Sequence, residues 1–332
     1  MGVNMTKETK FDFNFLVESA IKAPSGHNTQ PWMFEQRDNK IIIHPDLTRS
    51  LPVVDSDNHE LYISLGCALE NLLIAARHEA YACKVQYPEK PGSSITVELN
   101  KDDSIKAETD ILFDEISKRQ VTKSKYNNQI LPADVLKQIS SCFNFKGISL
   151  LILDGKRNFE KIIPLIIEAN NLQFNKKDFL NELVNWIRFS KNEAEKKKDG
   201  IWSATMGMPG LGRFIGNIIM KKLVTAKSGA KRLTELLEHT QGLAIFISDS
   251  NNAEAWVKIG QAFQRFGLTA THLGVSHAHL NMPCEEIEVR HKLAKRINLE
   301  NKHPLLLIRY GYAEKMPYSY RRSVDDVFYK ST

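Results

Sequence analysis

The chain has 332 residues, 42% of them apolar, and its 45 Lys and Arg against 39 Asp and Glu leave a net charge of +6. That length sets a prior of about two domains with sizeable cores. So mild a charge, with no basic residues interleaved with aromatics on one face, argues against a nucleic-acid partner and for an anionic small molecule. No run approaches the roughly 18 uncharged apolar residues of a membrane span, and the start, Met1 to Lys10, is polar, unlike a signal peptide. A cytoplasmic protein with no membrane partner is expected. Cys67, Cys83, Cys142 and Cys284 lack C-x-x-C spacing and a His at zinc-ligand distance, so they read as buried thiols with no metal or disulfide framework.

In chain order, Phe13, Leu16, Val17, Ala20 and Ile21 fall at the spacing of a helix burying one face, and Pro24 ends it. The next words are A-P-S-G-H-N-T-Q-P-W, Ala23 to Trp32. Met33–Phe34 and Ile41–Ile43 then read as short strands around the turn Asp38-Asn39. A polar loop between a buried helix and a sheet is a common address for function. Ser25 and Gly26 are small enough to let backbone approach a ligand, and the amides of Asn28 and Gln30 donate and accept at once, which suits a flat heterocycle. An ordinary turn with Trp32 in the core would share this spacing.

Leu51 to Asp57 is a turn-rich connector into an apolar helix from Leu61 to about Ala80. Its apolar residues cover over half the circumference, the mark of a central helix. Glu89 to Ser94 breaks the chain before a strand, Ile95 to Leu99. A second such helix runs from Trp256 to Gly274, and the slide that pairs Gly66 with Gly260 also pairs Ala68 with Ala262, Ala76 with Ala270 and His78 with His272. A helix through Val135, Leu136, Ile139, Cys142 and Phe143, then strands Ile148–Leu153 and Leu305–Tyr310, give the second half the same opening and close. Two related, fused halves account for this: 1–115, and 116–332 with an insertion at about 158–232.

Arg119-Gln120-Val121-Thr122-Lys123, with Tyr126 behind, opens the second half. Arg119 and Lys123 would share one face of a helix and suit a phosphate dianion, although a surface cluster would look the same. After Leu305–Tyr310 and Pro317 comes Arg321-Arg322-Ser323. The insertion carries helical runs at Phe159–Phe174 and Phe179–Lys198. Its glycines 210, 212 and 216 imitate a dinucleotide fingerprint without the required strand and turn. Trp202, Met206 and Met208 there are candidates for a mobile apolar flap; a plain docking helix, Phe214 to Leu223, is the alternative. His272, His277 and His279 lack the spacing of a chelating pair and read as core or surface histidines.

The loop resembles the P-S-x-x-N-x-Q-P-W flavin loop of the nitroreductase family through Pro24, Ser25, Asn28, Gln30, Pro31 and Trp32. The R-x-x-x-K motif and the R-R tail resemble that family's phosphate contacts. The likeness is closest to its fused, double-domain bacterial branch. Departures are Val121, where the family often has Ser, and an extra residue between Lys123 and Tyr126. The resemblance implies an α+β fold, an antiparallel sheet flanked by helices in each half, and an intramolecular pseudo-dimer around one FMN. Pseudo-dimers that associate further remain open. It implies Pro24, Ser25, Gly26, Asn28, Gln30, Arg119, Gln120, Lys123, Arg321 and Arg322 as cofactor-binding residues. The flavin would carry the chemistry with no catalytic side chain, NAD(P)H would be a transient donor, and a nitroaromatic, quinone or similar acceptor would follow in ping-pong order. The alternatives are a lid-covered protein that stores FMN, and a scaffold that has lost it.

Overall fold

The computed structural model describes residues 11–102, 104–105 and 111–330, and the polar start from Met1 to Lys10 lies outside them. Helix α1 (Phe13–Ala20) begins where Asp12 accepts the Phe15 N–H at 3.1 Å, and it buries Phe13, Leu16, Val17 and Ala20. Strands β1 (Trp32–Arg37) and β2 (Lys40–Pro45) form a hairpin whose turn is set by Asp38 in the left-handed region (φ 52°). Helix α2 (His59–His78) is buried almost throughout, and β3 (Tyr81–Gln86) and β4 (Ile95–Lys101) complete a first antiparallel sheet of order β1-β2-β4-β3.

After α3 (Ile111–Ile116) the chain runs without regular structure to α4 (Ala133–Ser140) and β5 (Ile148–Asp154). The insertion follows. It holds α5 (Lys156–Phe159), α6 (Ile163–Asn175), α7 (Phe179–Trp186), β6 (Ile187–Arg188), α8 (Lys191–Lys197), β7 (Ile201–Trp202), α9 (Arg213–Leu223) and α10 (Ala226–Glu238). The single helix expected over Phe179–Lys198 is two helices. Arg188 pairs with Asp199 at 2.7 Å, β6 lies parallel to β7, and Ser190 accepts the Glu193 N–H to start α8 afresh. The second sheet is built from β8 (Gly242–Ser248), then α11 (Ala253–His272), β9 (Ser276–His279), α12 (Met282–Glu285), α13 (Ile287–Arg296) and β10 (His303–Gly311), in order β5-β8-β10-β9.

The two sheets have one topology. Reading β5 for β1, β8 for β2, β10 for β4 and β9 for β3 converts one order into the other, with α2 and α11 in equivalent places. Where the first half turns at Asp38-Asn39, the second inserts the segment from α5 to α10. Helices α2 and α11 pack against each other through Gly66 and Gly260. Buried polar bonds pin their register: Gln264 donates to Asn71 at 2.6 Å, and Gln261 and Arg265 donate to Glu70 at 2.9 and 2.8 Å. A single apolar core spans both halves, from Leu16 and Phe34 through Leu69 and Phe263 to Phe246 and Ile308. Among the described residues no helix is long and apolar enough to cross a membrane.

Candidate functional site

The loop after α1 is held in a conformation that ordinary residues adopt reluctantly. His27, Asn28 and Gln30 all have positive φ (47°, 54° and 53°). Local bonds enforce it: Ser25 Oγ accepts the Gln30 N–H at 2.9 Å, and Ser64 Oγ accepts the Gly26 N–H at 3.3 Å. Pro24 to Asn28 line a cavity of about 280 Å³. Gln30 does not line it. It is fully buried, its Nε2 donates to the Lys198 carbonyl at 2.8 Å, and its Oε1 accepts the Arg322 N–H at 2.8 Å. Asn28 reaches the cavity, but its amide is also engaged. Nδ2 donates to the carbonyls of Gly200 and Tyr320, and Oδ1 accepts from Arg321 at 2.9 Å. These two amides act chiefly as clasps that tie the loop to the insertion and to the tail.

Three cations from two distant segments meet in the same cavity: Arg119 and Lys123 from one, Arg321 from the other. Residues 119–123 are not helical. Their fixed path comes from Thr122 N–H donating to the His277 carbonyl at 3.0 Å and from Arg309, which donates to the Ser124 carbonyl at 2.7 Å and stacks 3.9 Å over the Tyr126 ring. Arg119 lies against Gly267 of α11, its Cδ 3.3 Å from where a Cβ would be. Among the described residues, Arg119 Nη2 finds an acceptor, the Lys22 carbonyl at 3.2 Å, while its buried Nε and Nη1 find none. Arg321 Nε and Gln120 Nε2 are likewise buried without partners. Gln120 Oε1 meanwhile accepts the Met316 N–H at 2.7 Å, bringing the tail over the site. Burial lowers Arg119 to about 10, with Cys67 and then Tyr318 pulling the other way too weakly to offset it. Burial and next the charge of Arg119 lower Arg321 to about 9, and burial with Arg232 lowers Lys123 to about 8. Cations crowded away from water, with donors left over, call for an anion. Arg322 stays outside the cavity and donates to the Gln30 carbonyl at 3.1 Å.

Sequence reasoning missed two histidines here. His27 and His279 both line the cavity; burial followed by the charge of Lys123 lowers them to about 4 and about 3, so each is a neutral ring. His277, read as a core or surface histidine, is buried, and both its ring nitrogens lack a partner among the described residues. The insertion contributes Ile201, Thr205, Phe179 and Gln173 to the lining, not Trp202, Met206 or Met208. Trp202 rests on Tyr320 (ring centroids 5.5 Å), and Met206 and Met208 pack around Phe189 and Met220 in a core of their own. A remaining wall is acidic, from Asp55 in the connector before α2, Glu60 in its first turn and Glu285 at the end of α12. Asp55, Asp57 and His59 bring ligand atoms within 4.8 Å of one another. Arg290 already donates to Asp57 at 3.2 Å, and the group is an ion-pair network.

No family model matches the chain. Over most of its length it is nevertheless similar to curated proteins. One from Mycobacterium tuberculosis, provisionally named an NAD(P)H nitroreductase, is 20% identical over 318 residues, covering 93% of this chain and 88% of that one. Another, the NAD(P)H nitroreductase PigM of a Serratia species, also provisionally named, is 25% identical over 296 residues, 81% of each. Similar solved structures include the FMN-dependent nitroreductase NfnB from Mycobacterium smegmatis in complex with NADPH (12% identity, TM-score 0.44, 68% of this chain and 99% of that one). A BluB-like flavoprotein from Clostridium difficile is another (15% identity, TM-score 0.42, 67% and 99%). Over most of its length the chain is therefore similar to proteins named as nitroreductases, and it folds as two sheets of one topology.

Proposed function

We propose that this chain is an FMN-dependent NAD(P)H oxidoreductase of nitroreductase type, with one FMN in the cavity between loop 24–28 and the segment 119–123. The observation that carries this reading is the set of buried donors without acceptors, Arg119 Nε and Nη1, Arg321 Nε and Gln120 Nε2, all belonging to residues that line one cavity. A phosphate monoester fits that donor set, because it supplies the anionic acceptors that the unpaired cations lack. When bound, the flavin supplies hydride transfer from a nicotinamide to a nitroaromatic, quinone or similar acceptor in ping-pong order. Arg119, Lys123 and Arg321 hold the phosphate. Ser25, Gly26 and Asn28 bring backbone against the bound group, while Leu51, Val54, Phe179 and Ile201 keep water from it. His27 and His279 are neutral and offer hydrogen bonds without adding charge. The curated relatives' names and the full-length likeness support the reading. The purified protein should show a visible flavin spectrum at one FMN per chain, bleached by NADPH or NADH without oxygen and restored by a nitroaromatic. A colourless protein that does not take up added FMN would overturn the proposal.

A second reading, a flavin store with little turnover, is favoured by one feature. The insertion is latched to the loop by paired bonds between Asn28 and Gly200, at 2.9 and 3.0 Å, so the segment that lines the cavity is also tied shut over it.

A further inference from the structure

The cavity that presents Arg119, Lys123 and Arg321 also presents carboxyls, and among the described residues no ion pair joins the two sets. The short path from His279 to Asn281 separates them. His279 feels the charges of Lys123 and Arg119, whereas Asn281 Nδ2 donates to Glu60. Oppositely charged groups that share an enclosed space without touching are a poor arrangement for stability alone, since each pays for burial without gaining the other.

Not all the acids are uncompensated. Asp55 accepts the backbone N–H groups of Glu60 and Leu61 at 3.0 and 2.9 Å and lies 3.2 Å from His59 Nδ1. Asp57 takes His59 at 2.5 Å and Arg290 at 3.2 Å. Burial opposes the charge on His59, but bonds to Asp55 and Asp57 hold its pKa at about 9, so the imidazolium belongs to those two carboxylates. Glu60 and Glu285 fare differently. His59 Nε2 stands 3.7 Å from Glu60, too far for a bond, and the hydrogen-bonding partner of Glu60 is a neutral amide. That amide cannot turn away, because Asn281 Oδ1 accepts the Leu307 N–H of β10 at 2.7 Å. Glu285 receives another amide, Nε2 of the buried Gln173. Burial raises both carboxyls above their usual range, more than His59 draws them down; repulsion from Glu285 and Asp55 adds to it at Glu60, and from Asp55 and Glu286 at Glu285. Among the described residues no cation hydrogen-bonds to Glu60 or Glu285; that of His59 bonds Asp55 and Asp57 and reaches Glu60 only as a 3.7 Å ion pair.

We propose that the acceptor site of this enzyme selects a small molecule bearing a cationic or N–H-rich group, an amine or amidine, seated against Glu60 and Glu285. The inference rests on the oxidoreductase reading for the role of that molecule, and on the unpartnered donors of Arg119 for the cavity being a ligand site at all. A cation draws the two carboxyls into their ionised form and is held by them, whereas an anionic acceptor gains no such pairing and leaves them protonated.

Three probes with one ring test it: 4-nitrobenzylamine (cation), 4-nitrobenzyl alcohol (neutral) and 4-nitrobenzoate (anion), titrated by calorimetry into the protein as purified. The cation should bind at least about tenfold more tightly than the anion, the size of one charge-assisted contact. In Glu60→Gln/Glu285→Gln, which keeps shape and amide contacts, that ratio should fall below about threefold, with the neutral probe as internal reference. Equal or tighter binding of the anion by the unaltered chain would overturn the proposal. So would a double variant that alters FMN affinity yet keeps the ratio, since the acids would then serve the flavin. Binding is read without turnover. Failure to reduce any probe therefore counts against the oxidoreductase reading, and loss of charge preference counts against this one.

Discussion

Gly66 and Gly260 meet where the two central helices cross. A Cβ on Gly66 would lie 2.1 Å from the Val257 carbonyl oxygen, and one on Gly260 would lie 2.0 Å from that of Ile63. The obstruction in each case is helix backbone, which cannot swing aside. Gly66→Ala or Gly260→Ala must push α2 and α11 apart across the core that both halves share. Overpacking of this kind costs about 1–3 kcal/mol, more than Ala recovers in helix propensity, about 1 kcal/mol. Each variant should unfold at lower urea than the unaltered chain by circular dichroism. An unchanged midpoint would mean that the crossing is not a tight contact.

The equivalence of these two glycines was legible in the sequence, from the slide that matched the two helices, but their contact was not, because it depends on how the halves pack. Helix α1, the hairpin around Asp38 and strand β10 were legible for a related reason: each carries its own local period or turn. Strand β8 was not, since its seven residues are all buried and show no alternation. At the site, a short motif pointed to Arg119 and Lys123 and the tail to Arg321, and the three line one cavity. Asn28 and Gln30 were visible as functional types but not as clasps, because their partners at 198, 200 and 322 are far along the chain. The acidic wall was invisible for the same reason: Glu60 and Glu285 come together only through the packing of α2 against the second half.

Arg119→Met should separate ligand binding from folding. The arginine has two buried donors without acceptors, so its charge costs stability in the flavin-free chain and is offset when a phosphate arrives. The variant should bind FMN about ten- to a hundredfold more weakly, corresponding to 1.5–3 kcal/mol for a charge-assisted contact. Its flavin-free thermal midpoint should be equal or higher. Lysine should not restore affinity, since it lacks the planar fork. Flavin fluorescence titration and a melt of the apo form check both halves, and an unchanged dissociation constant removes Arg119 from the site.

Lys123 sets a pH dependence on the same binding. Burial, then the charge of Arg232, lowers its pKa to about 8. A bound phosphate dianion would favour the protonated form, so flavin binding takes up a proton wherever free Lys123 is neutral. The sign follows: affinity is fully present well below pH 8 and falls as pH rises through 8 towards 9. Lys123→Met should bind more weakly at pH 7 and lose most of that slope. A slope that survives the substitution assigns the titration to another group.

The latch between the loop and the insertion decides whether the site works as an enzyme or as a store. Gly200 has φ 73°, and a Cβ there would lie 2.4 Å from the Trp186 carbonyl oxygen, so Gly200→Ala is strained both in its own backbone and against its neighbour. The same residue exchanges two bonds with Asn28, and the adjoining Ile201 and nearby Thr205 form part of the cavity wall. Loosening it should open the cavity with Arg119 and Lys123 untouched and Arg321 altered only in its bond to Asn28. If the latched segment occludes the nicotinamide, the rate of flavin bleaching by NADPH should rise in Gly200→Ala, and further when Trp202–Gly212 is replaced by a short Gly-Ser linker. Hydride transfer requires near contact between the two rings, and a closed segment denies it. The comparison is anaerobic stopped-flow at equal flavin occupancy. Rapid reduction of the intact chain, unchanged or slowed in both variants, would show that the segment positions the substrate and does not exclude it, and the storage reading would then be lost.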